Sequence, residues 1–304
     1  MEKEFAKFAD NIRLTETQQQ EAKTKYEGVC EKLHKSYYDT ENDGSTKFLF
    51  GSYKTKTNIR PLTPDQDVDV IFKIPDETYK RFENYDGNGP SALLQEIRGY
   101  LKEKYTTTDK IKAWGKVVLV QFSENTHNVE VLPTHEESDN SFTIPNSSDG
   151  GSWEKFNPRE EIDSFQDSNT KTNGLTADIV RMLKSWVHNT TSLDYKSYQL
   201  QKDVIKFLVN NYKNGAEYSE YSNLMEDLFQ HLKKNCDESI QSYVETSLNR
   251  AKKANSLETD RKFKEASEEW RKIFGTEFPI AESFQNTDSI TRVFSSPSRQ
   301  YGKY

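Results

Sequence analysis

The stretch that most restricts what this chain can fold into is Asp67-Val68-Asp69-Val70-Ile71-Phe72. Successive side chains of a strand point to opposite faces, so Asp67 and Asp69 share one face, about 7 Å apart at Cα. Two carboxylates on one face repel, and the apolar run beside them marks the strand as buried, where an uncompensated charge is costly. A divalent cation held by oxygen ligands is the usual resolution. The competing arrangement is an edge strand whose polar face is wet. A third carboxylate, Glu130, stands in Val129-Glu130-Val131-Leu132-Pro133, again flanked by β-branched residues. Three acids in apolar contexts point to one metal site shared by two strands. Asp65 competes as a ligand, but it follows Pro64, before the alternation begins, and ranks lower.

Upstream lies Phe48-Leu49-Phe50-Gly51-Ser52. A strand here runs into Gly-Ser, where glycine permits a tight turn and backbone N–H groups with a hydroxyl can hold phosphate oxygens. Taken alone, a Gly-Ser after a strand is an ordinary turn.

The rest of the chain divides by periodicity. Ala22, Tyr26, Val29, Leu33 and Tyr37 recur at helical spacing, so the first 40 residues read as helix, with Thr15 and Gln18 as a capping box. Short β-type runs follow at 47–50, 68–74, 112–122 and 128–132, interrupted by a helix over 91–105. From about residue 172 to 274 the pattern is helical, with stripes at Leu175, Ile179, Met182, Leu183, Trp186 and at Phe263, Ala266, Trp270, Ile273. Residues 146–152, the richest turn segment, read as a loop over a cleft. Beyond Gly275 periodicity fades into a Ser/Asn/Arg-rich tail.

Composition narrows the function classes. No apolar run approaches the ~20 residues of a membrane span, and the N-terminus lacks the pattern of a secretory signal, so a cytoplasmic protein is expected. Two cysteines, Cys30 and Cys236, support neither a disulfide framework nor a Cys-based zinc module. With 42 basic against 49 acidic side chains and a net charge of −7, indiscriminate binding to nucleic-acid backbone is not expected. The clusters Arg250/Lys252/Lys253 and Arg261/Lys262/Lys264 are interleaved with Glu258, Glu265, Glu268 and Glu269 and read as solvated helix faces.

Taken together, Gly51-Ser52, Asp67-x-Asp69 and Glu130 resemble the DNA polymerase β-like nucleotidyltransferases. The spacing Gly51-Ser52-Tyr53…Thr57-x-Ile59-Arg60-Pro61…Asp67-Val68-Asp69-Val70 is similar to that of the CD-NTases, cyclic-oligonucleotide synthases related to cyclic GMP–AMP synthase and to 2′,5′-oligoadenylate synthetases. Arg181-x-x-Lys184-x-Trp186, Ser197-Tyr198, Trp153-x-x-Phe156-Asn157-Pro158 and Phe274-Gly275-Thr276-Glu277-Phe278-Pro279 resemble further segments of bacterial members. The resemblance implies an α+β fold: a nucleotidyltransferase lobe with a small mixed sheet over 1–160, a helical lobe over 161–280 and a tail over 281–304. It implies two Mg²⁺ ions, with Mn²⁺ as the alternative, on Asp67, Asp69 and Glu130. It implies triphosphate held by Lys184 and Ser197 beside Gly51-Ser52, and a base stacked on Tyr198. Lys184 otherwise reads as a surface lysine, Ser197 as a cap and Tyr198 as a core aromatic. Asn173, ahead of the Lys184 helix, reads as a base contact or a helix cap. His127 and His135 receive no role.

The activity implied is joining of NTPs into a cyclic or short linear oligonucleotide, a second messenger of antiphage (CBASS) signalling. A transferase using an aminoglycoside or RNA 3′ hydroxyl, and a silent nucleotide-binding scaffold, stay open beside it. The zinc insertion and basic surface of the animal DNA sensor are missing from the sequence, so DNA activation is not expected. The tail, with Thr291-Arg292-Val293-Phe294 and Arg299-Gln300-Tyr301, is read as a handle for a regulatory or conjugating protein, against a tail packed on its own lobe.

Overall fold

The computed structural model describes residues 1–63, 66–107, 110–124, 126–211 and 221–282. Asp65 and the tail residues Thr291, Phe294 and Tyr301 lie outside them.

Helices α1 (Glu2–Asn11) and α2 (Glu16–Tyr38) lead into β1 (Lys47–Leu49), α3 (Gly51–Thr55), β2 (Asp67–Lys73), α4 (Asp76–Glu83) and α5 (Gly89–Lys104). Strands β3 (Ile111–Trp114), β4 (Val117–Val120), β5 (Asn128–Glu136), β6 (Phe142–Asn146) and β7 (Ser152–Phe156) follow. The remaining elements are helical: α6 (Pro158–Lys171), α7 (Leu175–Asn189), α8 (Ser197–Asn211), α9 (Tyr221–Asn235), α10 (Glu238–Thr259) and α11 (Phe263–Phe274). The expected α+β organisation is observed.

The first 40 residues form two helices rather than one. The expected box does open the second: Thr15 Oγ1 accepts from the Gln18 N–H at 3.2 Å, and Gln18 Oε1 accepts from the Thr15 N–H at 3.0 Å. Such a cap is worth about 1 kcal/mol. Helix α1 ends at the connection that carries Ile12, whose carbonyl accepts from the Arg60 N–H at 2.9 Å.

The sheet runs β1-β2-β5-β4-β3, with β6 and β7 continuing from β5. Strands β2 and β5 are parallel and the other ladders antiparallel, which makes the sheet mixed. Val68, Val70 and Phe72 point to a core closed by α2 and α5 through Ala22, Val29, Leu33, Leu93 and Ile97. That packing leaves Asp67 and Asp69 on the opposite face, as the alternation requires. The run expected over 112–122 is a hairpin, because Gly115 turns at φ +53 between β3 and β4.

The segment 146–152 is corrected. It closes the β6–β7 hairpin rather than covering a cleft. The Ser147 N–H donates to the Gly115 carbonyl at 2.7 Å, and Asn88 Nδ2 to the Ser147 carbonyl at 3.0 Å, which ties the turn to the β3–β4 end.

Helices α7 to α11 enclose a second core around Trp186, Phe229 and Trp270, which α1 enters with Phe5 and Phe8. Phe5 meets Trp270 edge-on at 5.1 Å and Phe278 at 5.0 Å. The start of the chain is thus packed among its last helices, and Arg13 pairs with Ile59 near the sheet. Among the described residues, no helix is long and apolar enough to cross a membrane.

Candidate active site

Parallel pairing of β2 with β5 sets Asp69 opposite Glu130 and Asp67 opposite Asn128. All three acids line one open cleft of about 960 Å³, whose other wall comes from α6, α7 and α8. Burial, then the Glu130 and Asp67 carboxylates, push the Asp69 carboxyl up to about 7, against the pull of Lys184. Burial and Asp67 likewise raise Glu130. The sheet therefore holds three like charges together at an energetic cost.

This donor set fits a hard cation. It is all carboxylate oxygen, crowded enough to disfavour its own charge, and one-sided. Among the described residues, no three His, Cys, Asp or Glu side chains close around an ion-sized point. Mg²⁺ suits such a site, because it is held by one or two carboxylates while substrate phosphates and water complete its shell.

Gly51 and Ser52 open α3 directly above Asp69. Gly51 has φ +60, and a Cβ there would stand 2.5 Å from Asp69 Oδ2. Glycine is required on both counts. Ser52 Oγ accepts from Asn58 Nδ2 at 2.9 Å, which leaves its own O–H to donate. Thr57, next to Asn58, accepts Lys184 Nζ at 3.4 Å and donates its N–H to the Ser52 carbonyl at 2.9 Å.

Lys184 projects from α7 into the cleft; burial lowers its ammonium to about 8, with Asp69 pulling the other way. Arg181, one turn earlier, is buried and donates to the Lys56 carbonyl and to Asp178, which Arg13 also reaches at 2.8 Å. This ties the Lys56-Thr57-Asn58 loop to α7 and to the α1–α2 connection. Trp186 of the same motif is core, edge-on to Phe229 at 5.2 Å. Ser197 is the first residue of α8 and lines the cleft at an end where backbone N–H groups and the helix dipole favour anions. Tyr198 is exposed and also lines the cleft, with Lys202 Nζ 5.1 Å from its ring centre. It is not a core aromatic.

All eight residues singled out from the sequence, Gly51, Ser52, Asp67, Asp69, Glu130, Lys184, Ser197 and Tyr198, thus line one cleft. Asn173 does not; it is the left-handed residue of the α6–α7 connection, φ +51, and caps rather than reads a base. His127 is buried against Glu21 at 2.6 Å, and His135 stacks on Tyr79 at 4.4 Å; neither lines the cleft. Sequence reasoning missed Glu161 and Gln201, joined Oε1 to Nε2 at 3.1 Å across the cleft wall, and Lys202 beside Tyr198. The signal available was Phe156-Asn157-Pro158, which starts α6 just before Glu161.

Residues 1–169 match the model of the Second Messenger Oligonucleotide or Dinucleotide Synthetase domain, SMODS. The chain belongs to this family. It is therefore a CD-NTase, in a family of nucleotidyltransferases. It is 26% identical over 302 aligned positions to the Probable cyclic nucleotide synthase of Bacillus cereus, covering 84% of this chain and 87% of that one. Its fold is similar to that of Escherichia coli CdnC solved with HORMA-deltaN, at TM-score 0.64, 17% identity and coverage of 91% and 98%. It is also similar to Vibrio cholerae DncV cyclic AMP–GMP synthase solved with nonhydrolysable GTP, at TM-score 0.68, 15% identity and coverage of 90% and 96%. At those identities the likeness to the solved structures is one of fold.

Proposed function

We propose that this CD-NTase joins nucleoside triphosphates into a cyclic oligonucleotide, releasing pyrophosphate at each bond. The observation that carries the proposal is the in-register pairing of Asp69 with Glu130, beside Asp67, in a cleft whose opposite wall offers Lys184, Ser197 and Tyr198.

Asp67 and Asp69 would hold Mg²⁺, with Glu130 completing the carboxylate set for the second ion. Bound there, the ions neutralise charge on the triphosphate and acidify the attacking hydroxyl. The Lys184 ammonium and the Ser197 hydroxyl, at the amino end of α8, bind phosphate oxygens. Ser52 adds a donor from the other wall, its hydroxyl oriented by Asn58. Tyr198 stacks on a base. A ribose hydroxyl attacks the α-phosphorus, the bond to the β-phosphate oxygen breaks, and Glu130 receives the hydroxyl proton directly or through water. Alternation of roles between two bound nucleotides closes the ring. The role in antiphage signalling rests on the family resemblance, as does a regulatory protein partner, for which the CdnC complex with HORMA-deltaN is the structural parallel.

The test is mass spectrometry of products from equimolar NTPs with Mg²⁺ or Mn²⁺. A phosphatase-resistant oligonucleotide from NTPs alone is expected. Turnover only after an aminoglycoside or RNA is added, or nucleotide binding without pyrophosphate release, would overturn the proposal.

Lys184→Ala and Ser197→Ala are expected to weaken nucleotide affinity. Loss of a hydrogen bond to a charged group costs about 1.5–3 kcal/mol, or about ten- to a hundredfold in Kd. Equilibrium binding measures it, and unchanged affinity in both variants would remove their phosphate role.

A further inference from the structure

We infer that Glu161 holds the ribose of the nucleotide whose base stacks on Tyr198, making the cleft selective for ribonucleotides over deoxyribonucleotides. This rests on the reading that the cleft binds a nucleoside triphosphate.

A nucleotide places phosphate, sugar and base in a fixed order, so a site that binds its two ends has defined where the sugar lies. The phosphate end is marked by Lys184 and the base end by Tyr198. Glu161 stands in the field of both regions. Its nearest cationic influences are Lys184 on one side and Lys202 on the other, and Lys202 lies over the Tyr198 ring. Its Oε1 is fixed at 3.1 Å by Gln201 Nε2, and Gln201 follows Tyr198 by three residues on α8, on the same cleft-facing side. One half-buried carboxylate is thereby pinned between the two markers.

The chemistry fits the sugar and not its neighbours. An ionised carboxylate only accepts hydrogen bonds and offers about four lone-pair positions. Gln201 occupies one, which leaves places for the 2′ and 3′ hydroxyl groups of one ribose. Phosphate oxygens would be repelled by it. A purely structural carboxylate in this position would be expected to close an ion pair, yet among the described residues Glu161 makes none; Gln201 is the partner that fixes it.

The inference is tested by equilibrium binding of α,β-methylene-ATP, which blocks transfer, against its 2′-deoxy and 3′-deoxy counterparts. The wild-type chain is expected to bind the ribonucleotide about ten- to a hundredfold more tightly than at least one deoxy form. In Glu161→Ala the gap should shrink to about threefold or less, through weaker binding of the ribonucleotide alone. Should that variant fail to fold by thermal unfolding, the near-isosteric Glu161→Gln, which removes the charge, takes its place and is expected to narrow the gap. Equal binding of all three ligands by the wild type, or a gap that survives the substitution, overturns the ribose role while leaving the nucleotide reading intact. Absence of any nucleotide binding overturns both.

Discussion

Asp69→Asn is expected to lose about three orders of magnitude in pyrophosphate release while remaining folded. The substitution keeps the volume and removes a ligand charge from a site where cation-based charge stabilisation contributes several kcal/mol, and about 1.4 kcal/mol corresponds to a tenfold change in rate. The same change should stabilise the metal-free protein. The Asp69 carboxyl is raised to about 7 by burial and by Glu130 and Asp67. A carboxyl whose folded pKa lies above its unfolded value binds more protons when folded, so its contribution to stability falls as pH rises from about 4 to about 7. Asn does not titrate. In EDTA the melting temperature of the variant should therefore exceed that of the wild type, with the difference widening over that pH range and level above it. Mg²⁺ should then raise the wild type more than the variant. Asp67→Asn should act in the same direction. Near wild-type pyrophosphate release in either variant, or a stability difference that shrinks as pH rises, would refute the metal assignment.

The parts of this site that were legible in the sequence are those encoded in local alternation. Asp67 and Asp69 sit among apolar residues at period two, and that pattern fixes both their shared face and the burial that makes their charge expensive. Glu130 was found the same way, although its pairing opposite Asp69 depends on a parallel ladder that no local pattern specifies. Lys184, Ser197 and Tyr198 came from the resemblance, since a lysine on a helix or a serine before one carries no signal of its own. Glu161 was hidden because it belongs to Arg159-Glu160-Glu161-Ile162-Asp163, a charged run indistinguishable from a solvated helix face until α6 meets α8. Strands β6 and β7 were missed for a different reason. Pro145 weakens the strand signal of Phe142-Thr143-Ile144, and the turn chemistry of 146–152 is equally that of a hairpin or a long loop. The break after α1 was unreadable locally as well, because the α1–α2 connection is held by tertiary contacts to Ile59 and Arg60.

Gly51→Ala is expected to damage catalysis far more than stability, and a matched glycine separates the two. At φ +60 an alanine is strained by about 1–2 kcal/mol. That alone would lower the melting temperature by a few degrees. Gly115, at φ +53, bears the same backbone penalty, but a Cβ there meets nothing within 4 Å. At Gly51 the new methyl would press on Asp69 Oδ2 from 2.5 Å, and the carboxylate is not free to retreat, because Val68 and Val70 anchor the strand on either side. The ligand oxygen must turn or the Gly51-Ser52 backbone must lift, and either displaces the metal-facing carboxylate from the Ser52 hydroxyl that would meet the phosphates. A displacement of about 1 Å costs on the order of a hundredfold in rate. Gly115→Ala should thus lose stability with turnover retained, and Gly51→Ala should lose comparable stability together with at least about a hundredfold in pyrophosphate release. Equal turnover in the two variants would mean that close approach of α3 to Asp69 is irrelevant to the chemistry.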